Sequence, residues 1–172
     1  MAGLIVLGAV SAIRLAQSAG QATGAPEFPK DAHWLQSKPL SMTSLGGQVV
    51  ALHFWTRGCV NCQNNYAVYK QWQEQYTGKP LQIIGVHTPE FASEADPAGV
   101  QRTLEKQGLK YPVVIDNDKR IWKSWQNEYW PSIYLIDKKG RVRYHWDGEL
   151  HLDSSEGRRF AGHIDELLAE AP

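Results

Sequence analysis

The chain has 172 residues, enough for one domain with a core of ordinary size plus an appendage. Its 18 lysines and arginines balance its 18 aspartates and glutamates, so no net field draws it to nucleic acid or to an anionic membrane surface. Seven tryptophans and seven tyrosines against four phenylalanines suggest aromatics with polar handles near a surface cleft, although core packing explains most of them equally well.

Residues 1–25 differ from everything that follows. An apolar run over 2–13 is succeeded by the small residues Ala16, Ser18, Ala19, Gly20 and Ala22, which resembles the apolar region and cleavage zone of a secretory signal. No basic residue precedes the run, and Arg14 follows it. The run is short of the roughly 20 residues a spanning helix needs. A signal peptide or N-terminal membrane anchor is the expectation, with a periplasmic or exported location, and an amphipathic helix is the alternative. Residues 26–38, carrying Pro26 and Pro29, read as a linker, and 39–172 as the folded domain.

Residues 40–45 alternate apolar and polar side chains as a half-buried strand does, and Gly46-Gly47 would turn that strand into a hairpin. Residues 48–56 form a buried strand rich in valine and aromatics. The chain's two cysteines follow directly, as Cys59-Val60-Asn61-Cys62. A helix is predicted from Cys59 to about Tyr76, ended by Gly78-Lys79-Pro80. Residues 81–86 are a strand. Asp96 caps the next helix, Pro97 fits its first position and Gly108 ends it. A strand over 111–115 leads through Asp116-Asn117-Asp118 into a short helix carrying Ile121, Trp122 and Trp125. A strand over 132–136, a turn at 137–140 and a strand over 141–146 make a hairpin. The last helix starts near Asp153, with Glu156 three residues on and Phe160, Ile164 and Leu167 as its buried stripe. This order describes one three-layer α/β/α domain with a mixed central sheet, an N-terminal β-hairpin extension and an inserted helix.

A C-x-x-C at a strand-to-helix junction points to redox chemistry. A thiol at a helix start faces unpaired backbone N–H groups and the positive end of the dipole, which favour thiolate. The thiolate attacks disulfides, and a second thiol three positions on can resolve the mixed disulfide. A structural zinc site would need about four ligands. No third cysteine exists, and of His33, His53, His87, His145, His151 and His163 only His145 begins a spacing that loosely fits. A purely structural bridge over so short a loop removes little unfolded-state entropy.

Several strings carry a family resemblance across most of 40–170. They are Gly47-Gln48-Val49-Val50 leading to Phe54-Trp55-Thr56 and Cys59-x-Asn61-Cys62; Ile84-Gly85-Val86-His87-Thr88-Pro89-Glu90-Phe91; and Tyr111-Pro112-Val113-Val114-Ile115-Asp116-Asn117-Asp118. Tyr129-Trp130-Pro131-x-x-Tyr134-Leu135-Ile136-Asp137 and Gly140-Arg141-Val142-Arg143 continue it. The chain resembles thioredoxin-fold thiol–disulfide oxidoreductases of the TlpA-like and DipZ-like periplasmic kind, related to the AhpC/TSA redoxins.

The resemblance implies that Cys59 and Cys62 are the catalytic pair, and that no cofactor is needed beyond their redox-active disulfide. It implies that Pro131 is a cis-proline, leaving the backbone of Trp130 to face the sulfurs and pair with an extended partner chain. Trp55, Trp130 and the 88–94 loop would form an apolar rim for partners, with plain core aromatics as the competing explanation. Thioredoxins place a buried acid six positions before the first cysteine to assist proton movement at the second. Here that position is His53, expected under the active site as a proton partner of Cys62 or else as a plain core histidine. Leu150-His151 departs from the small residue and tyrosine that the family tends to place after Gly148-Glu149. No histidine or proline occupies the x-x pair, so a reductant or intermediate exchanger is expected. Its partners would be exported proteins with disulfides and a membrane electron donor, with the chain itself a monomer.

Two rival readings remain. Thr56, three before Cys59, is also seen in thiol peroxidases, but the upstream proline such sites need is Leu52 here. A Cu(I) metallochaperone would hold the ion with both thiolates and a histidine such as His87 or His145.

Overall fold

The computed structural model describes residues 24–172. The expected signal or anchor over 1–25 lies almost wholly outside the described residues. The strands are β1 (His33–Leu35), β2 (Val49–Trp55), β3 (Leu81–His87), β4 (Val113–Ile115), β5 (Ser132–Ile136) and β6 (Val142–Asp147). The helices are α1 (Val60–Asn64), α2 (Tyr66–Gln75), α3 (Pro97–Gln107), α4 (Arg120–Ser124) and α5 (Ser155–Ala169). The strands form one sheet in the order β1-β4-β3-β2-β5-β6. β2, β3 and β4 run parallel, while β1, β5 and β6 pair antiparallel with their neighbours. The sheet is mixed, as expected, because crossovers with helices join the parallel pairs and a tight turn joins β5 to β6.

β2 is buried along its whole length, and its side chains alternate between two cores. Val49, Ala51 and Trp55 pack with Cys62 and with α2, α3 and α5, through Tyr69, Trp72, Leu104, Phe160 and Ile164. Val50, Leu52 and Phe54 pack on the opposite face with Ile121, Trp125, Tyr134 and the N-terminal Phe28 and Trp34. Helices on both faces of the sheet make the three layers.

Two expectations about the N-terminal part are corrected. Residues 40–45 are not a strand, and no hairpin forms there: Thr43–Leu45 is a single 3₁₀ turn. Ser41 and Ser44 exchange side-chain-to-amide hydrogen bonds at 3.0 Å in both directions, and Glu27 accepts the Met42 N–H at 2.7 Å. Such local bonds compete with strand pairing. The edge strand lies instead inside the presumed linker 26–38, at β1, where Trp34 packs edge-on against Phe28 at 5.0 Å between ring centroids. Three residues are too few for a periodicity to reveal.

The predicted helix over 59–76 is two helices meeting at Asn65. α3 is capped as expected: Asp96 accepts the N–H groups of Ala98 and Gly99, and Gly108 closes it at φ 68°. α5 begins one residue later than expected, with Ser154 as its cap, accepting the Gly157 N–H at 2.9 Å. Asp116 organises α4. One carboxylate oxygen accepts the N–H of Ile121 and the other that of Trp122, both at 2.9 Å, and the second also accepts the Thr88 hydroxyl at 3.0 Å.

Candidate active site

Strand register gathers the candidate residues at one end of the sheet. Trp55 is level with His87, His87 with Ile115, Phe54 with Ser132, and Ser132 with Asp147. The segments 56–59, 88–95, 116–119, 129–131 and 148–150 therefore leave the sheet side by side.

The cysteine loop turns sharply out of β2, its Cys59 N–H bonding back to the Thr56 carbonyl at 3.2 Å. Cys59 is extended and caps α1, its sulfur accepting the Cys62 N–H at 3.1 Å. The two cysteines are joined as a disulfide, with Cα atoms 5.3 Å apart. Cys62 is 1% exposed, whereas Cys59 is half-buried, so a partner can reach only the outer sulfur. α1 has five residues, and the direct N–H of Cys62 therefore matters more to a Cys59 thiolate than a long helix dipole would. A hydrogen bond to a charged group is stronger than one to a neutral group, so this donor would stabilise the Cys59 thiolate once the disulfide is reduced.

Asn65 holds the kink between α1 and α2. It is fully buried; its Oδ1 accepts the Leu150 N–H at 2.7 Å, and its Nδ2 donates to the Tyr69 hydroxyl and the Gly148 carbonyl, both at 3.3 Å. The cysteine helix is thereby tied to the 148–150 loop, which has a positioning role that its departure from the family pattern had obscured. The one signal in the sequence is a polar residue on the face that the helix buries.

On the other side the cysteine loop is strapped to residues 90–95. Arg57 donates from its guanidinium to the carbonyls of Ser93 and Glu94. Glu94, 6% exposed, accepts the N–H groups of Glu90 at 2.8 Å and Phe91 at 3.1 Å through Oε2. Burial pushes its carboxyl up, but the Phe91 amide, the Thr56 hydroxyl, the Glu90 amide and nearby His87 together hold it below the ordinary carboxylate range. His87 is buried, with Nε2 3.3 Å from the Arg57 amide and 3.4 Å from the Thr56 hydroxyl. Desolvation lowers its pKa to about 4, so its ring is neutral at physiological pH. Glu94 was missed at the level of sequence, where nothing separates it from a solvated acid.

The Trp130–Pro131 bond is cis, as the resemblance implied. The half-buried Trp130 indole donates to the Thr88 carbonyl at 3.0 Å and lies 4.1 Å from the Trp122 ring, with the Lys119 ammonium 5.2 Å above it. Trp55 belongs to no rim. It is 0% exposed and stands edge-on to Tyr66 and His87, so of the two readings the core one holds for it. An indole on the same β2 face as Ala51 must point into the core. Exposed apolar side chains at this end are Val60, Phe91 and Tyr129.

His53 is fully buried, stacked on Tyr69 at 4.1 Å and edge-on to Tyr111 at 5.3 Å. Neither ring nitrogen has a hydrogen-bond partner, and desolvation lowers its pKa to about 3. It is therefore a neutral imidazole. His145 is exposed on the half-buried edge strand β6, stacked on Tyr134 and 2.9 Å from Asp147, level with neither Trp55 nor the cysteine loop. Among the described residues, no three His, Cys, Asp or Glu side chains converge as a metal site.

A half-exposed sulfur bonded to a buried one at the start of a helix, beside a cis-proline on a mixed thioredoxin-like sheet, defines a thiol–disulfide oxidoreductase domain. The comparisons with known proteins agree. Residues 22–145 match the AhpC/TSA family, and the chain belongs to that family. It is 39% identical over 128 residues to protein DipZ of Mycobacterium tuberculosis, a match covering 73% of this chain and 18% of DipZ. The chain thus spans about a fifth of the length of that relative. It is 31% identical to thiol-disulfide oxidoreductase ResA of Bacillus thuringiensis, covering 72% of this chain and 68% of ResA. A thiol-disulfide isomerase structure from Corynebacterium glutamicum superposes with a TM-score of 0.69 at 27% identity, covering 86% of this chain and 98% of the other.

Proposed function

We propose that this domain reduces disulfides in exported proteins of the cell envelope, with Cys59 as attacking thiol and Cys62 as resolving thiol. The observation that carries the reading is the asymmetry of the pair: the accessible Cys59 sulfur accepts the Cys62 N–H, while Cys62 lies buried beneath it. The Cys59 thiolate attacks one sulfur of a substrate disulfide, forming a mixed disulfide and releasing the other substrate sulfur as thiolate. The Cys62 thiolate then attacks the Cys59 sulfur, closing the Cys59–Cys62 bond and releasing the second substrate thiol. Two electrons leave the pair and enter the substrate. A membrane electron donor would reduce the pair again; the apolar 2–13 run supports an envelope location. Pro131 and Trp130 would present backbone to the substrate chain, and the exposed Phe91 and Tyr129 would flank it. His53, neutral and without partners, would act on Cys62 only as a transient proton acceptor.

The test is the Cys62→Ser variant in its own host. It is expected to accumulate exported proteins linked through Cys59, in adducts that dithiothreitol releases and that Cys59→Ser abolishes. Trapping nothing, together with a wild-type chain that leaves model protein disulfides intact, would sink the reading.

A further inference from the structure

The Cys59 loop carries a charge that the exchange mechanism does not use. Gly58 precedes Cys59, and a Cβ built on it would stand 2.0 Å from Oε1 of Glu94 and 3.1 Å from its carboxyl carbon. The carboxylate thus occupies the space a side chain at 58 would fill, on the backbone one residue before the outer sulfur. Its surroundings fix it there: two amides of its own loop, those of Glu90 and Phe91, hold Oε2 at 2.8 and 3.1 Å. No cation is paired with it among the described ion pairs. Arg57, on the cysteine loop, points its donors at the carbonyls of Ser93 and Glu94 instead. The remaining titratable neighbour from the sheet is His87 at the end of β3, which desolvation keeps neutral.

We propose that Glu94 is a positioning residue of the disulfide exchange: its buried carboxylate, seated against Gly58, opposes ionisation of Cys59 and so keeps the pair reducing. The physical reason is that a fixed negative charge disfavours a second one nearby, more so where burial limits screening. Stabilising the thiolate stabilises the reduced form and makes a couple more oxidising, as low-pKa thiols do. Here the Cys62 N–H pulls Cys59 toward thiolate and Glu94 pulls it back. The balance sets how readily the pair gives up its electrons.

This inference rests on Cys59 being the attacking thiol, but its test reads the thiol directly and needs no substrate. The rate of iodoacetamide alkylation of the reduced Cys62→Ser protein, followed against pH, titrates Cys59. Glu94→Gln keeps the shape and the acceptor for the two amides while removing the charge. The expected result is a titration midpoint lower by about one unit, hence about tenfold more thiolate at pH 6. With both cysteines present at pH 8, the equilibrium with glutathione should shift up to about tenfold toward the reduced pair, or about 30 mV. Gly58→Ala, which must push the carboxylate out, should move the midpoint the same way. Arg57→Gln should move it upward, and the exposed Glu90→Gln should leave it in place. A Glu94→Gln protein with an unchanged or raised midpoint overturns the proposal. If that variant does not fold, an unchanged midpoint in Gly58→Ala overturns it. A chain that titrates as expected yet reduces no protein disulfide would instead count against the functional reading alone.

Discussion

Trp55 closes β2 with its ring wedged edge-on between Tyr66 and His87, and Gly85 on the neighbouring strand leaves room for it. A Cβ at position 85 would stand 2.9 Å from the indole nitrogen and 3.2 Å from Nε2 of His53, so only glycine lets both rings lie against β3. Trp55→Ala is therefore expected to cost about 3–5 kcal/mol in urea unfolding through the cavity it leaves. Exchange by the protein that remains folded should be nearly unchanged. A variant with wild-type stability and impaired exchange would return Trp55 to the substrate rim. At this scale the cysteine pair was legible because spacing alone carries its chemistry, and Pro131 because a long string of neighbours accompanies it. Trp55 was not, because a motif neighbour reads the same whether it faces the partner or the core. Glu94 and Asn65 were invisible because their roles depend on what two distant loops place beside them.

The interruption at Asn65 shows how an element acquires a functional boundary. A straight helix from 60 to 75 would carry residues 60–64 on the same axis as α2; the two short helices let the cysteine turn be set separately from the packing of Tyr69 and Trp72. Asn65 supplies the bond that makes this stable, since Leu150, itself 0% exposed, has its N–H satisfied by Oδ1. Asn65→Ala leaves that amide buried without an acceptor, an omission worth about 1–3 kcal/mol. Hydrogen exchange should show the Leu150 amide losing protection selectively, with α3 and α4 unaffected. Retained protection would mean that water or a shifted carbonyl takes the place of the side chain. Elements with strong local signals, such as α3 with Asp96, Pro97 and Gly108, were readable from sequence. Those governed by side-chain competition or distant partners, the 40–45 segment and β1, were not.

Across the whole molecule, the buried histidines set a pH limit on stability. His53 and His87 are held neutral by desolvation, at about 3 and about 4 against an ordinary value of 6.5. Below 6.5 the unfolded chain takes up protons at these rings while the folded one does not, so stability rises with pH through this window and is lost as pH falls. Linkage gives a loss of about 2 kcal/mol for each ring between pH 7 and pH 5. Glu94 and Asp137, both held below their ordinary values, lose their contributions only at lower pH. Asp116, raised mainly by burial, works in the opposite sense, so the net slope alone does not isolate the histidines. The variant His53→Phe does. It keeps a ring to stack on Tyr69, has no nitrogen to desolvate, and should remove close to half of the histidine contribution. Subtracting its stability from that of the wild type at each pH should give a difference that changes by about 2 kcal/mol between pH 7 and pH 5 and is flat above 7. A difference independent of pH would mean that the ring titrates alike in the folded and unfolded chain, with an acceptor beside it that offsets its desolvation. The same variant reads the proton question at the active site. If disulfide exchange by His53→Phe keeps the rate and pH profile of the wild type, Cys62 loses its proton to solvent or to its partner sulfur, and the ring is there for packing.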